Sequence, residues 1–266
     1  MSFRLIALDV DGTLLNDEHV LTERTIETIR AVHDQGCSIV LCTGRAPAST
    51  IPILDELGLE GTMITHNGAV TLHADEHGQT IVNEFTFAVE DIEPMLAYAR
   101  RGGIHFDVCT AMNMYIERIG AYEKEMYEKF LISPKLVTSV SDLSLPLVKF
   151  TLLGQPDVLD RVQREWEEQK LYGSLRMIRS GDLFIDVMSP AANKGNALKA
   201  LAASQKIEPD EIIAIGNYYN DLEMMAFAGV GIAVENSPEA VKAAADWVTA
   251  SNNDDGVHEA LLKYCL

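Results

Sequence analysis

Two aspartates stand two residues apart in Asp9-Val10-Asp11-Gly12-Thr13, at the end of a nearly continuous apolar run that begins at Phe3. A carboxylate in that place can attack phosphorus as a nucleophile. A second carboxylate two residues on can protonate the leaving oxygen and later take a proton from water. Two neighbouring anions also require a cation, and hard oxygen donors suit Mg2+. By itself the same segment also reads as an ordinary acidic turn after a strand.

Three more clusters carry chemistry, each with a plainer reading beside it. In Leu41-Cys42-Thr43-Gly44-Arg45 a polar residue again ends an apolar run. The Thr43 hydroxyl and the backbone N–H groups that follow can hold phosphate oxygens; the plainer reading is a strand-to-helix turn with Gly44 there for geometry. Lys194, in Asn193-Lys194-Gly195, opens a helical pattern through Ala197, Leu198 and Leu201. A cation at a helix start opposes the dipole, so something anionic must compensate it, unless the lysine is a solvated surface group. The helix start itself also favours phosphate. In Gly216-Asn217-Tyr218-Tyr219-Asn220-Asp221 the amide and carboxylate oxygens can ligate a hard cation or bond a phosphate. Asn220 or Asp221 would equally serve as a helix N-cap.

Such residues need elements that bring them to one edge, and the pattern supplies them. Apolar runs Phe3–Val10, Cys37–Thr43, Thr62–Thr65, Glu211–Ile215 and Val230–Val234 read as buried strands. They alternate with helical patterns over Thr22–Gln35, Ala48–Leu57, Gly195–Gln205, Asp221–Ala228 and Pro238–Ala244. Thr22 is the expected N-cap of the first helix, and Gly36 and Gly58 are helix stops. Fully apolar strands alternating with helices predict an α/β fold with a parallel sheet covered on both faces. Ligand sites in such sheets lie beyond the carboxyl ends of the strands, where all four clusters fall.

The alternation breaks in the middle. Val70–Phe87 reads as a hairpin turning at Asp75-Glu76-His77-Gly78. Val89–Arg101 and Asp157–Lys170 read as helices, and Ile104–Asp107, Met112–Ile116, Leu147–Leu153 and Phe184–Val187 as strands, with an acidic segment near Glu117–Lys129. Residues 83–188 are therefore expected to form an inserted α+β domain, with 1–82 and 189–266 forming the α/β core. Phe106, Tyr115, Tyr122 and Tyr127 line a pocket or fill a core there. Trp166, Met224 and Met225 are expected in cores, and His73, His77, His105 and His258 at the surface.

The bulk numbers narrow the function classes. A formal charge of −19 over 266 residues leaves no basic face for nucleic acid or an anionic membrane. No run of about 18 uncharged apolar residues predicts a membrane helix. Acidic residues come too early at the N-terminus for a signal peptide. The four cysteines lack CxxC spacing, so reduced, mostly buried thiols in a cytoplasmic protein are expected. An anionic substrate must be met by a local positive site, such as a metal or a lysine.

With these motifs in this order, the chain resembles the haloacid dehalogenase-like hydrolases over nearly its whole length. It is most similar to Cof-type phosphatases, whose α+β cap is inserted between the second and third motifs. The resemblance implies a Mg2+-dependent phosphatase for a small phosphorylated substrate. Asp9 would be nucleophile and metal ligand, and Asp11 general acid/base with its carbonyl on the metal. Val10 and Gly44 would offer N–H groups and Thr43 its hydroxyl to phosphate. Lys194 would neutralise phosphate and orient Asp9, Asn220 would contact phosphate, and Asn217 and Asp221 would complete the metal's surroundings. The family usually has aspartate where this chain has Asn217, which implies weaker Mg2+ affinity. Asn67, in His66-Asn67-Gly68-Ala69, faces the cleft or simply turns the chain, and Asp186 serves at the hinge or toward substrate. A phosphomutase or phosphotransferase is the nearest rival reading, and a non-catalytic phosphometabolite sensor the next. The sequence leaves the oligomeric state open.

Overall fold

The computed structural model describes residues 3–129 and 132–266; Met1 and Ser2, at the start of the expected signal-free N-terminus, lie outside the described residues. The chain divides into two compact units. One holds the chain up to Asn83 and from Asn193 onward, and the other is Glu84–Ala192.

The first unit begins with β1 (Leu5–Asp9), α1 (Glu23–Asp34), β2 (Ser38–Cys42), α2 (Pro47–Leu57), β3 (Gly61–Thr65), β4 (Val70–Asp75) and β5 (Gly78–Glu84). Glu84–Ala192 contributes α3 (Glu93–Gly102), β6 (His105–Cys109), β7 (Met114–Ile116), α4 (Ala121–Lys129), β8 (Lys135–Leu136), β9 (Lys149–Leu153), α5 (Pro156–Gln169), β10 (Arg176–Gly181) and β11 (Phe184–Met188). The first unit then resumes with α6 (Lys194–Gln205), β12 (Ile212–Gly216), α7 (Leu222–Phe227), β13 (Val230–Val234), α8 (Glu239–Ala244), β14 (Trp247–Thr249) and α9 (Gly256–Tyr264).

The first unit's sheet runs β14-β13-β12-β1-β2-β3-β4-β5. It is parallel from β14 to β3, and β4 turns back antiparallel to β3. β1 lies centrally, and Leu5 to Leu8 are wholly buried, as a strand covered on both faces must be. Thr22 caps α1 by accepting a hydrogen bond from the Thr25 N–H. α2 ends at Gly58 in the left-handed conformation, which a residue without Cβ adopts freely. The mixed edge β3-β4-β5 makes this an α/β fold with a parallel-rich sheet. β14 has no counterpart in the sequence reading because a three-residue strand carries almost no periodic signal, and the nine-residue α9 also lies outside the elements read there.

The second unit's sheet runs β10-β11-β9-β6-β7-β8. Strand side chains alternate between faces. One face supplies Phe106, Val108, Phe150, Leu152, Ile185 and Val187 to a core closed by Leu96 of α3 and Leu159, Val162 and Trp166 of α5. Trp166 stacks on Phe150 and meets Tyr98 edge-on, so it fills the core as expected. Phe106 and Tyr127 are buried, whereas Tyr122 is exposed. The opposite face carries His105, Asp107, Cys109, Lys149, Thr151 and Asp186, because Asp107 and Asp186 both register with Thr151. Two histidines depart from the surface expectation. His105 is buried and bonded to the Tyr127 hydroxyl, which offsets the cost of burying its ring; His258 is buried against the Thr28 hydroxyl through Nδ1, while its Nε2 has no hydrogen-bond partner among the described residues.

Burial pushes the Asp107 carboxyl up to about 6; Asp186 adds to this, while Lys149, Cys109 and Tyr127 hold it down. A carboxyl whose folded value lies above its unfolded one adds no penalty below about pH 4, and its cost grows as pH rises through the folded value. Asp107→Asn is therefore expected to stabilise the protein by about 1–3 kcal/mol at pH 8 and by nothing at pH 4. Thermal unfolding at both pH values checks this; a variant less stable than wild type at pH 8 contradicts it.

Candidate active site

Parallel register builds the site. Asp9 ends β1 and lies opposite Cys42, so Thr43 falls one residue beyond it on the neighbouring strand. On the other side Leu8 lies opposite Ile215, which sets Gly216 and Asn217 at the same edge. Lys194 arrives from α6, whose N-cap Asn193 accepts a hydrogen bond from the Asn196 N–H. Gly195 packs directly on the backbone of Glu223; a Cβ there would lie 2.6 Å from it.

At the centre the Lys194 ammonium donates to Asp9 Oδ1 and to Asp221 Oδ1, both at 2.6 Å, with its side chain fully buried. These carboxylates are the anions that a cation at a helix start requires. Thr13 Oγ1 donates to the other Asp9 oxygen at 2.8 Å. Asp221 Oδ2 accepts the N–H groups of Asn217 and Tyr218 at 2.9 and 3.0 Å. Asp9 and Asp221 are thus both oriented and almost entirely shielded from water.

The charges do not balance. Burial, then the charge of Asp221, pushes the Asp9 carboxyl up to about 7, against the pull of Lys194 and the hydrogen bond from Thr13. Burial alone would lower Lys194, but Asp9 and Asp221 outweigh it and hold the ammonium above the ordinary lysine range. Two buried carboxylates facing one ammonium leave excess negative charge, and a bound cation would relieve it. Among the described residues no group of three or more His, Cys, Asp or Glu is arranged to hold a metal. A cation here must draw on amide or backbone oxygen as well. The Asn217 carboxamide supplies one such donor. It lies over Gly12, at φ +74, where any side chain would collide with it.

Asp11 stands at the rim, its side chain about half exposed. Arg45 grips both its oxygens, Nε to Oδ2 at 2.8 Å and Nη2 to Oδ1 at 2.6 Å, and this pairing raises the arginine's own value. The bidentate fork fixes the carboxylate plane. The Thr43 hydroxyl oxygen accepts the Arg45 N–H at 3.1 Å, which leaves the hydroxyl proton free for a ligand. Asn220 Nδ2 donates to Asn67 Oδ1 at 3.0 Å. Val10 is wholly buried, and its carbonyl accepts the N–H groups of Leu14 and Leu15.

Motif reading left several of these groups unassigned. Arg45 lies inside a quoted motif but had no role. Asn236 and Asn252 lie outside every motif. Asn236 donates to the Gly12 carbonyl at 2.8 Å and accepts the Asn252 N–H, while Asn252 donates to Leu15 O and Asp17 Oδ1. Together they brace the loop that follows Asp9. Asp186 is buried in the second unit, accepting from Thr151 and paired with Lys149.

The family model for haloacid dehalogenase-like hydrolases matches residues 6–261. The chain belongs to this family. It is 34% identical to the putative phosphatase YxeH of Bacillus subtilis, covering 97% of each chain. A haloacid dehalogenase-like hydrolase from Bacteroides thetaiotaomicron superposes with a TM-score of 0.88 at 28% identity, covering 98% of this chain and 99% of that one. The subclass IIB sugar phosphatase BT4131 superposes at 0.80 with 25% identity, covering 98% of each chain. The chain is thus an enzyme of a hydrolase family that includes phosphatases. Among the described residues no helix is long and apolar enough to cross a membrane.

Proposed function

We propose that this hydrolase is a Mg2+-dependent phosphomonoester phosphatase for small phosphorylated metabolites, sugar phosphates foremost, working through a phosphoaspartate on Asp9. The carrying observation is the buried Asp9 carboxylate, held by Lys194 and Thr13 at the strand edge with Asp11 beside it. The sugar-phosphate preference follows from the similarity to BT4131, a sugar phosphatase.

An Asp9 oxygen attacks phosphorus in line as the ester P–O bond breaks, and Asp11 gives a proton to the departing oxygen. Water then attacks the acyl phosphate, Asp11 takes its proton, and Asp9 is regenerated. Lys194 offsets the repulsion between Asp9 and the incoming phosphate, and the Thr43 hydroxyl, the N–H groups of Val10 and Gly44, and Asn220 bind its oxygens. Asp9, the Asp11 carbonyl, Asn217 and Asp221 would hold Mg2+, which when bound supplies positive charge toward the phosphoryl oxygens. The four free thiols, three of them buried, and the acidic surface fit a cytoplasmic enzyme without nucleic-acid or membrane partners.

A phosphate-release screen over sugar phosphates, nucleotides, flavin mononucleotide and pyridoxal phosphate, with and without Mg2+, tests the reading. Mg2+-dependent release from at least one ester is expected. No release at saturating Mg2+ overturns it, and transfer of the phosphoryl group to a second sugar phosphate instead of water would make the enzyme a phosphotransferase.

Asn217 bears on the metal directly. One carboxylate charge about 4 Å from the doubly charged cation is worth about 8 kcal/mol gross at an effective dielectric near 20, much of it cancelled by desolvation. Asn217→Asp is expected to lower the half-saturating Mg2+ concentration about tenfold, the equivalent of about 1.4 kcal/mol. Mg2+ titration by calorimetry checks this, and equal affinities would refute it.

A further inference from the structure

The turn His66-Asn67-Gly68 after β3 belongs to none of the four motifs, yet three of them meet on it. All three residues sit at positive φ, +49, +53 and +94. That region is unfavourable for residues with a Cβ, and such conformations persist where surrounding structure imposes them. Here the surroundings are the motif loops themselves. The His66 N–H donates to Arg45 O and the Asn67 N–H to Thr43 O, both at 2.9 Å. Gly68 lies against the Asn193–Lys194 backbone so closely that a Cβ would collide with it. On the remaining side Asn220 Nδ2 donates to Asn67 Oδ1 at 3.0 Å.

The backbone so held aims one side chain. The Asn67 carboxamide lies over Gly44, where an added Cβ would come within 3.0 Å of Oδ1 and 3.2 Å of Nδ2. Its oxygen is taken by Asn220. Among the described residues no hydrogen-bond acceptor faces its Nδ2, and the residue is only partly buried. This places an N–H2 donor between Gly44 and Asn220, beside the Thr43 loop, the groups assigned above to the phosphate. A neutral donor adds attraction for an anionic oxygen without a further buried charge.

We propose that Asn67 is a substrate-binding residue whose Nδ2 donates to an oxygen of the phosphoryl group, and that the left-handed turn serves to present it. The proposal rests on the phosphatase reading. Asn67→Gly tests it cleanly, because glycine takes φ +53 without strain and only the side chain is lost. Three readouts are compared with wild type at saturating Mg2+: the affinity for inorganic phosphate by calorimetry, kcat/KM for the best ester of the screen, and Tm. The expected result is about tenfold weaker phosphate binding and a 10- to 100-fold fall in kcat/KM with Tm unchanged. Asn67→Asp, which sets a like charge against phosphate, should lose more on both. Unchanged phosphate affinity in Asn67→Gly overturns the proposal, whether or not Tm falls. If wild type binds no phosphate and cleaves no ester, the phosphatase reading fails and takes this proposal with it. If wild type does both while Asn67→Gly behaves like it, only the role of Asn67 fails.

Discussion

Asp9→Asn is expected to abolish phosphate release, lowering kcat/KM by about 10⁴-fold or more, and yet to yield a protein more stable than wild type at pH 8 without Mg2+. The loss follows because the amide is no nucleophile and no other side chain shares Asp9's position at the end of β1. The gain follows from the environment. Burial and Asp221 push the Asp9 carboxyl up to about 7, so its ionisation opposes folding once pH rises through that value. Asparagine keeps the shape and buries no charge; its single carbonyl oxygen can still accept from Lys194, while its NH2 donates to the Thr13 hydroxyl instead of accepting from it. Near pH 3, where the carboxyl is mostly protonated in both folded and unfolded chains, the two proteins should have similar stability. Acid quench of wild type during turnover, followed by mass spectrometry, should find a phosphoryl group on the Asp9 peptide and none in the variant. Residual activity above about one per cent, or phosphorylation at another residue, would remove Asp9 from the nucleophile's role.

Lys194→Met should be the most destabilising single change in the site. It leaves Asp9 and Asp221 buried without their shared counter-ion. Removing one partner of a buried ion pair costs about 3–5 kcal/mol, whereas the intact pair contributes little net stability, because desolvation offsets its attraction. Lys194 is held above the ordinary lysine range, so its contribution is complete at pH 7–8 and is lost only at strongly alkaline pH. The deficit of the variant should therefore be large at pH 8. It should shrink toward pH 5, where Asp9 takes up a proton and one of the stranded charges disappears. Mg2+ should restore part of the stability by supplying positive charge to the same carboxylates. Activity should fall by about 10³-fold, since the group that offsets Asp9 and the incoming phosphate is gone. Denaturant unfolding at pH 5 and pH 8, with and without Mg2+, checks the set. A deficit independent of pH would mean that lost packing, not stranded charge, is responsible.

Much of the site could be read in the sequence because chemistry and strand ends coincide there. Asp9, Thr43 and Asn217 each follow an apolar run, and parallel pairing aligns such ends without long-range information. Lys194 stood out by a local conflict, a cation at a helix start, which either solvent or an anion could resolve. What resolved it comes from far along the chain: Asp9 is 185 residues away. Arg45 was visible as a residue but not as Asp11's clamp, since nothing local directs a guanidinium to a carboxylate on the neighbouring loop. Asn236 and Asn252 gave no signal, because an asparagine that braces a distant loop looks like any turn residue.

The same division runs through the fold. Period and capping identified the strands and helices of the α/β unit from β1 to β3 and from α6 to α8, where apolar runs are long enough to register. His105 and His258 looked like surface residues because burial of a polar ring depends on a partner from another element, Tyr127 in one case and Thr28 in the other. The sequence by itself determined the candidate reacting groups and the strand ends that carry them. Only the tertiary structure decided which carboxylate each cation meets, how far burial lifts Asp9, and where the Asn67 side chain lies. Identity and order along the chain are local properties, whereas charge balance and burial are sums over neighbours that folding alone brings together.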